Sequence, residues 1–168
     1  FIKDAAVNKF GFELGYDKPA TIIGGTSYTG VQYNGNVSGM VWKSAGDNQK
    51  RKYDFAYDGA NRLTGADFNQ YAGSAFDRSA GIDFSVNNLR YDANGNILSM
   101  QQKGWKAGGS STIDNLAYTY YNNTNRLRNV FDTANDVQTT LGDFHSSQAY
   151  MTALGGTKTT AAVDYTYD

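Results

Sequence analysis

Several residue types are missing or rare in this 168-residue chain, and each absence excludes a class of protein. Cysteine is absent, which excludes a disulfide framework, a cysteine-ligated zinc or iron–sulfur site and a thiol nucleophile. Proline and histidine each occur once, as Pro19 and His145. Of the 16 acidic residues only Glu13 is glutamate. Because aspartate favours turns over helix and strand interiors, this ratio predicts a β protein with many turns.

Strong charge and long apolar runs are also missing. Lys plus Arg number 15 and the net charge is -1, so we expect no nucleic-acid partner. No run approaches ~20 apolar residues and no basic-then-apolar leader is present, so we expect neither a membrane span nor a signal peptide in these residues. The one basic run, 50–52, is bordered by aspartates and is interpreted as a solvated strand end. The length favours a single domain.

What the sequence does contain is internal repetition. Residues 57–63 read YDGANRL, residues 91–97 read YDANGNI and residues 121–127 read YNNTNRL. A degenerate copy, YNGNV, occupies 33–37, and the last two residues, 167–168, are YD again. The uneven spacing indicates strands joined by loops of variable length rather than a strict solenoid.

The third full copy allows two alignments. Equal spacing nominates Tyr121 as its first residue, whereas the alternation of Leu116, Tyr118 and Tyr120 nominates Tyr120, with a turn one residue longer. We favour Tyr120 and a motif at 120–127, because a buried face fixes the register of a strand.

Alternating aromatic and aliphatic residues precede each motif, and turn-forming residues fill it. This pattern predicts hairpins in which Asp58 and Asp92 cap backbone N–H groups. The predicted strand pairs are 51–57 with 62–68, 86–91 with 96–102, and 115–120 with 126–131. Further strands are predicted near 10–16, 28–33, 36–43 and 162–168, mobile loops at 104–112 and 153–160, and one short helix within 145–154.

These motifs, with DYTYD at 164–168, resemble the YD repeats of the Rhs and teneurin superfamily over roughly residues 28–168. The resemblance implies an all-β fold of antiparallel β-hairpin repeats that form a strip of a spiralling shell. It also implies that residues 1–168 are one truncated segment of a longer chain whose neighbours are further repeats. The structural repeat positions are then Tyr57, Asp58, Asn61, Leu63, Tyr91, Asp92, Gly95, Ile97, Tyr120, Asn125, Leu127, Tyr167 and Asp168.

The function implied by this resemblance is structural. Family members are secreted or displayed at the cell surface, and the bacterial shells often enclose a C-terminal toxin. The family also carries an aspartate-dependent self-cleavage motif near a proline-containing segment. Since Pro19 is the only proline, this chain departs from that pattern and we assign no self-cleavage.

Residues suited to catalysis or metal binding are sparse. His145 is interpreted as a surface loop residue, although Asp143 and Ser146 lie near it in sequence. Asp58 and Asp92 occupy equivalent repeat positions, so a common turn role is favoured over an acid–base pair, and no EF-hand spacing is present. We therefore expect no enzymatic activity, no cofactor and no metal. The alternative is a carbohydrate-binding or adhesion module that uses exposed aromatics such as Trp42 and Trp105; a glycan hydrolase comes third.

Overall fold

The structure is a computed structural model that describes residues 2–3, 9–23, 25–106, 108–134 and 142–168. The chain divides into two compact units, residues 1–86 and 87–168. Antiparallel strands dominate both units. The predicted all-β class with antiparallel strands is therefore confirmed. Among the described residues the single helix spans six residues, and no helix is long and apolar enough to cross a membrane.

The first unit is built on a run of neighbouring antiparallel strands. In chain order these are β1 (Ile2–Lys3), β2 (Phe10–Gly15), β3 (Gly39–Ser44), β4 (Lys50–Tyr57) and β5 (Leu63–Tyr71), and each pairs with the next. A two-residue strand, β6 (Phe76–Asp77), also pairs with β5. Val86, where β7 (Val86–Tyr91) begins, pairs with Ala66.

The connection 16–38 forms a long loop at its described residues, 16–23 and 25–38, and this loop lies over one face of the first sheet. Gly15 and Gly39 are paired across β2 and β3, and the buried ring of Tyr28 lies directly on them. A Cβ atom at Gly39 would lie 2.3 Å from that ring and 2.5 Å from the Tyr53 carbonyl oxygen. The two glycines therefore make room for an aromatic side chain that the loop inserts.

The predicted strand near 28–33 is wrong, because these residues belong to that loop rather than to the sheet. Their backbone bonds go elsewhere: the Tyr28 N–H donates to the Pro19 carbonyl at 2.8 Å, and the Gln32 N–H donates to the Tyr16 carbonyl at 2.7 Å. Backbone groups of the loop thus bond within the loop and to the residue next to it, while the Tyr28 side chain packs on β2 and β3.

The opposite face of the first sheet is aromatic. Trp42 stacks on Tyr53 with ring centroids 5.5 Å apart, and Tyr53 meets the buried ring of Phe68 edge-on at 5.4 Å. Phe84 completes the cluster by an edge-to-face contact with Phe68 at 5.3 Å. Such arrangements stabilise aromatic pairs beyond the area that they bury.

The second unit repeats the hairpin plan with longer strands. β7 is followed by β8 (Ile97–Lys106), β9 (Gly109–Tyr120), β10 (Leu127–Asp132) and the helix α1 (Gln148–Ala153). Ser147 caps α1, accepting a hydrogen bond from the Tyr150 N–H, and the predicted short helix is confirmed.

The predicted mobile loop at 104–112 is wrong for the residues that the structure describes; Ala107 lies outside them. β8 and β9 continue through this stretch, with Trp105 paired to Ser110 and Lys106 paired to Gly109. Gly104 accommodates the buried side chain of Ile113. The described small residues of this stretch, which resemble a flexible linker in sequence, therefore belong to a hairpin of paired strands.

The predicted strand near 162–168 is also wrong, since these residues form no regular strand. They run instead along the outer edge of β10. The Asp164 N–H donates to the Arg128 carbonyl at 2.8 Å, and the Val130 N–H donates to the Asp164 carboxylate at 2.8 Å. A side chain thus takes the place of one strand–strand bond at this edge.

Candidate functional site

Two of the repeat turns are built in the same way around an aspartate. Oδ1 of Asp58 accepts the N–H groups of Ala60 and Arg62 at 2.9 and 3.0 Å, and its Oδ2 accepts Arg62 Nε at 2.7 Å. The hydrogen bond from the Arg62 backbone is the main cause that lowers the pKa of Asp58 below its usual value. Asn61, in the left-handed region at φ 62°, completes the turn.

The second turn substitutes different residues at equivalent positions. Oδ1 of Asp92 accepts the N–H groups of Asn94 and Asn96, both at 2.9 Å, and its Oδ2 accepts Asn96 Nδ2 at 2.8 Å. That side-chain bond lowers the pKa of Asp92. Gly95, at φ 88°, takes the place that Asn61 holds in the first turn. Each aspartate therefore caps backbone N–H groups of its own turn, as the sequence predicts.

The third turn has no aspartate and uses a different device. Leu127 pairs with Tyr120, in the register that the alternation predicts. Tyr121 then occupies the position of the aspartate, and its N–H donates to the Arg126 carbonyl at 2.9 Å. The Thr124 hydroxyl accepts the Arg126 N–H at 3.1 Å and donates to the Tyr121 carbonyl at 2.9 Å. A threonine hydroxyl thus replaces the aspartate carboxylate.

The repeat tyrosines link one copy of the motif to the copy before it. The hydroxyl of Tyr57 donates to the carbonyl of Val37 at 2.9 Å. In the second unit the same relation joins Tyr120 to the carbonyl of Ile97 at 2.8 Å and Tyr167 to the carbonyl of Leu127 at 3.0 Å. In every case the acceptor is the aliphatic residue that closes the preceding motif.

Asparagine side chains make a second link between copies. Oδ1 of Asn61 accepts hydrogen bonds from Asn34 and Asn36, at 2.6 and 3.3 Å. Asn125 accepts equivalent bonds from Asn94 and Asn96, at 3.2 and 2.9 Å. The repeat residues thus bond to one another. The remaining repeat positions are part of the same frame: Leu63 begins β5, Tyr91 ends β7, and Asp168 is exposed at the last position.

Buried charge is the feature that the sequence interpretation missed. Lys52, in the basic run predicted to be solvated, is buried: its ammonium lies 2.8 Å from the Asp54 carboxylate and donates to the Ser27 carbonyl at 3.0 Å. Asp54 also accepts the Thr29 N–H at 2.9 Å. The prediction for Lys52 is wrong because the loop 16–38 covers that face of β4.

A second group of buried charges lies in residues 87–168. Asp114 of β9, Asp132 of β10 and Asp143 each bring a carboxylate oxygen within 4.8 Å of the others. We call these three residues the aspartate cluster. Burial is the main cause that raises the pKa of Asp114, and the neighbouring carboxylates of Asp132 and Asp143 add to it. Aspartate inside a strand is unusual, and that is the sequence signal that could have indicated the cluster.

His145 lies beside this cluster, with its Nε2 3.3 Å from an oxygen of Asp143. The hydroxyl of Ser146 accepts a hydrogen bond from the ammonium of Lys158 at 3.2 Å. A nucleophilic triad requires the histidine between the carboxylate and the serine hydroxyl. Here the serine hydroxyl instead contacts Lys158, which is also paired with Asp164 at 2.7 Å.

Comparisons with protein-family models, with curated proteins and with solved structures give no match for this chain.

Proposed function

We propose that this chain is a non-enzymatic structural segment of an exported YD-repeat protein of the Rhs type. Its hairpins would build part of a β-shell that encloses a C-terminal toxin or forms a scaffold at the cell surface. The proposal starts from the motifs at 57–63, 91–97 and 120–127, and the resemblance that these carry. Its natural partners are adjacent repeats of the parent chain.

The observation that best supports a structural role is the hydrogen bond that joins one copy of the repeat motif to the preceding copy. Tyr57, Tyr120 and Tyr167 each donate to the carbonyl that closes the preceding motif. A side chain that is engaged in joining repeats serves assembly rather than substrate binding. Repeat proteins gain stability from such nearest-neighbour contacts, and each added unit extends the same interface.

The link can be tested by removing single hydroxyl groups. We expect Tyr57→Phe and Tyr120→Phe each to lower the free energy of unfolding by about 1 kcal/mol, the usual contribution of one hydrogen bond. Tyr71→Phe is a matched control, because its hydroxyl donates to the Gly73 carbonyl two residues away at an exposed position, where water can replace the bond. Urea denaturation measures all three. Losses at Tyr57 and Tyr120 no larger than at Tyr71 would contradict the linking role.

A chain extended by one repeat tests whether the motifs form a repeat array. A chain continued past Asp168 by one strand–turn–strand repeat should unfold at a higher urea concentration than the 168-residue chain, because the new unit adds an interface. An appended hairpin with a scrambled motif is the control. Equal midpoints for the 168-residue and extended chains would argue against a repeat array.

A carbohydrate-binding module is the second candidate, and one exposed side chain favours it. Trp105, in β8, is 45% exposed, whereas Trp42 is engaged in the aromatic cluster of the first unit. An exposed indole can stack on a sugar ring. A glycan array separates the two candidates. If the unsubstituted 168-residue chain binds a glycan and Trp105→Ala abolishes that binding, the adhesion function replaces the structural one.

A further inference from the structure

The aspartate cluster has an oxygen for which the described residues supply no hydrogen-bond donor. Oδ1 of Asp132 accepts the N–H groups of Asn115 and Ala134, at 2.8 and 2.9 Å. Its other oxygen, Oδ2, is buried and accepts no hydrogen bond, and the residue as a whole is 9% exposed. Leaving a buried charged oxygen unsatisfied is costly, so such an atom in a native fold calls for a ligand.

The same cluster concentrates negative charge where little water reaches it. Asp114 and Asp132 are buried, and the side chain of Asp143 is fully buried. Like charges in a low-dielectric setting repel strongly. The buried Asp54 of the first unit has the ammonium of Lys52 at 2.8 Å. A bound cation would in the same way stabilise the carboxylates that are buried together in the aspartate cluster.

The three residues are also held in place by backbone contacts that leave the carboxylates together. Asp114 Oδ1 accepts the Phe144 N–H at 2.7 Å, which positions the chain immediately after Asp143. The N–H bonds to Asp132 Oδ1 orient that carboxylate, so that Oδ2 is the oxygen available to a ligand. The cluster thus joins β9, β10 and the segment that begins at residue 142.

From this geometry we infer that Asp114, Asp132 and Asp143 form a binding site for a divalent cation, specifically calcium. Two oxygens that each lie about 2.4 Å from one calcium ion are at most ~4.8 Å apart. The three carboxylate oxygens all lie within 4.8 Å of one another, so their separations allow one ion to contact all three. Calcium takes carboxylate oxygens in flexible geometry, whereas zinc sites are dominated by nitrogen and sulfur ligands and magnesium retains several waters. The ion would tie the terminal segment to β9 and β10.

Calcium alone is the probe for the whole 168-residue chain, after treatment with a chelator that is then removed. At a calcium concentration 100 times the dissociation constant we expect the melting temperature to rise by roughly 5–10 °C. Isothermal titration should give saturable binding, and magnesium should bind at least about tenfold more weakly, because it loses its waters reluctantly and demands octahedral geometry.

Two variants test the residues, and a third is the control. Asp114→Asn and Asp132→Asn retain an oxygen for the backbone N–H bonds but remove one charge, so we expect each to weaken calcium binding at least about tenfold. Asp92→Asn removes one carboxylate from the same unit at a distant turn and should keep the full calcium response.

The proposal is overturned if the unsubstituted 168-residue chain shows neither saturable calcium binding nor a calcium-dependent rise in melting temperature. It is equally overturned if Asp114→Asn and Asp132→Asn both bind calcium as tightly as Asp92→Asn. Should an asparagine variant fail to fold, the titration of the parent chain still decides whether a calcium site exists, and the variant that folds decides its position.

Discussion

The two units of this protein both bury carboxylates, but they neutralise them differently. In residues 1–86 the Asp54 carboxylate meets Lys52, and Glu13 accepts the N–H groups of Ile22 and Ile23, both at 2.7 Å. In residues 87–168 the aspartate cluster brings three carboxylates together beside a single histidine. The comparison teaches that burial of charge by itself does not identify a site. The informative feature is one buried carboxylate oxygen, Oδ2 of Asp132, to which the described residues donate no hydrogen bond.

Glu13 illustrates how the first unit uses its buried charge. The carboxylate lies on the covered face of β2, and its Oε1 accepts the hydroxyl of Tyr28 at 3.1 Å. Burial and the neighbouring carboxylate raise the pKa of the Tyr28 phenol. Glu13 thereby holds both ends of a loop stretch against the sheet. Its role is structural, and its acceptor capacity is used by donors from that loop.

The largest expected contrast comes from removing one charge in each unit. Asp54→Asn leaves the buried Lys52 ammonium without its counter-charge, so we expect a loss of about 3 kcal/mol in the free energy of unfolding. Asp114→Asn in calcium-free buffer instead relieves repulsion, so the stability should stay within about 0.5 kcal/mol or rise. Urea denaturation of both variants measures the difference. Similar losses in the two units would show that their buried carboxylates do not differ in this way.

A smaller contrast concerns two glycines that accommodate side chains. Gly39→Ala would place a Cβ against the Tyr28 ring and the Tyr53 carbonyl, and backbone cannot move cheaply, so we expect a loss of about 3 kcal/mol. Gly104→Ala meets only the Ile113 side chain, 2.6 Å away at its flexible end, and should cost about 1 kcal/mol. Thermal and urea unfolding test the order; a larger loss at Gly104 would contradict it.

The smallest effect is a pH dependence that should be similar in both units. Asp58 and Asp92 have pKa values held below 3.8 by hydrogen bonds in their turns. Because the folded pKa is depressed, the stabilisation is present above the unfolded value of 3.8 and is lost as the pH falls through the folded value. Asp58→Asn should therefore flatten the fall in stability below pH 3.8. Stability curves that stay parallel in parent and variant would count against this role.

Local features of the fold follow from the sequence alone. The hairpins around 57–63, 91–97 and 120–127 are set by neighbouring residues: an aspartate or threonine that bonds its own turn, and asparagine or glycine at positive φ. The choice of Tyr120 over Tyr121 also follows from alternation along one strand. These features need only contacts over a few residues, so residue order determines them.

Which face of each strand is covered was decided by tertiary structure. Alternation in β4 separates Tyr53 and Phe55 from Lys52 and Asp54, and predicts that the aromatic side faces the core. In the structure Lys52 and Asp54 are the more buried pair, because the distant loop 16–38 lies over them. Period two distinguishes two faces but carries no information about what packs on either one.

The same limit applies to the aspartate cluster. Asp114 and Asp132 each lie one residue beyond the predicted strands 115–120 and 126–131, and the structure places them in β9 and β10. Asp143 reaches them because its segment lies against β9, where the Phe144 N–H bonds to Asp114. The sequence by itself determined the hairpins and their turn chemistry, since these depend on local bonds. Only the tertiary structure decided which charges are buried together, because desolvation depends on segments that are far apart along the chain.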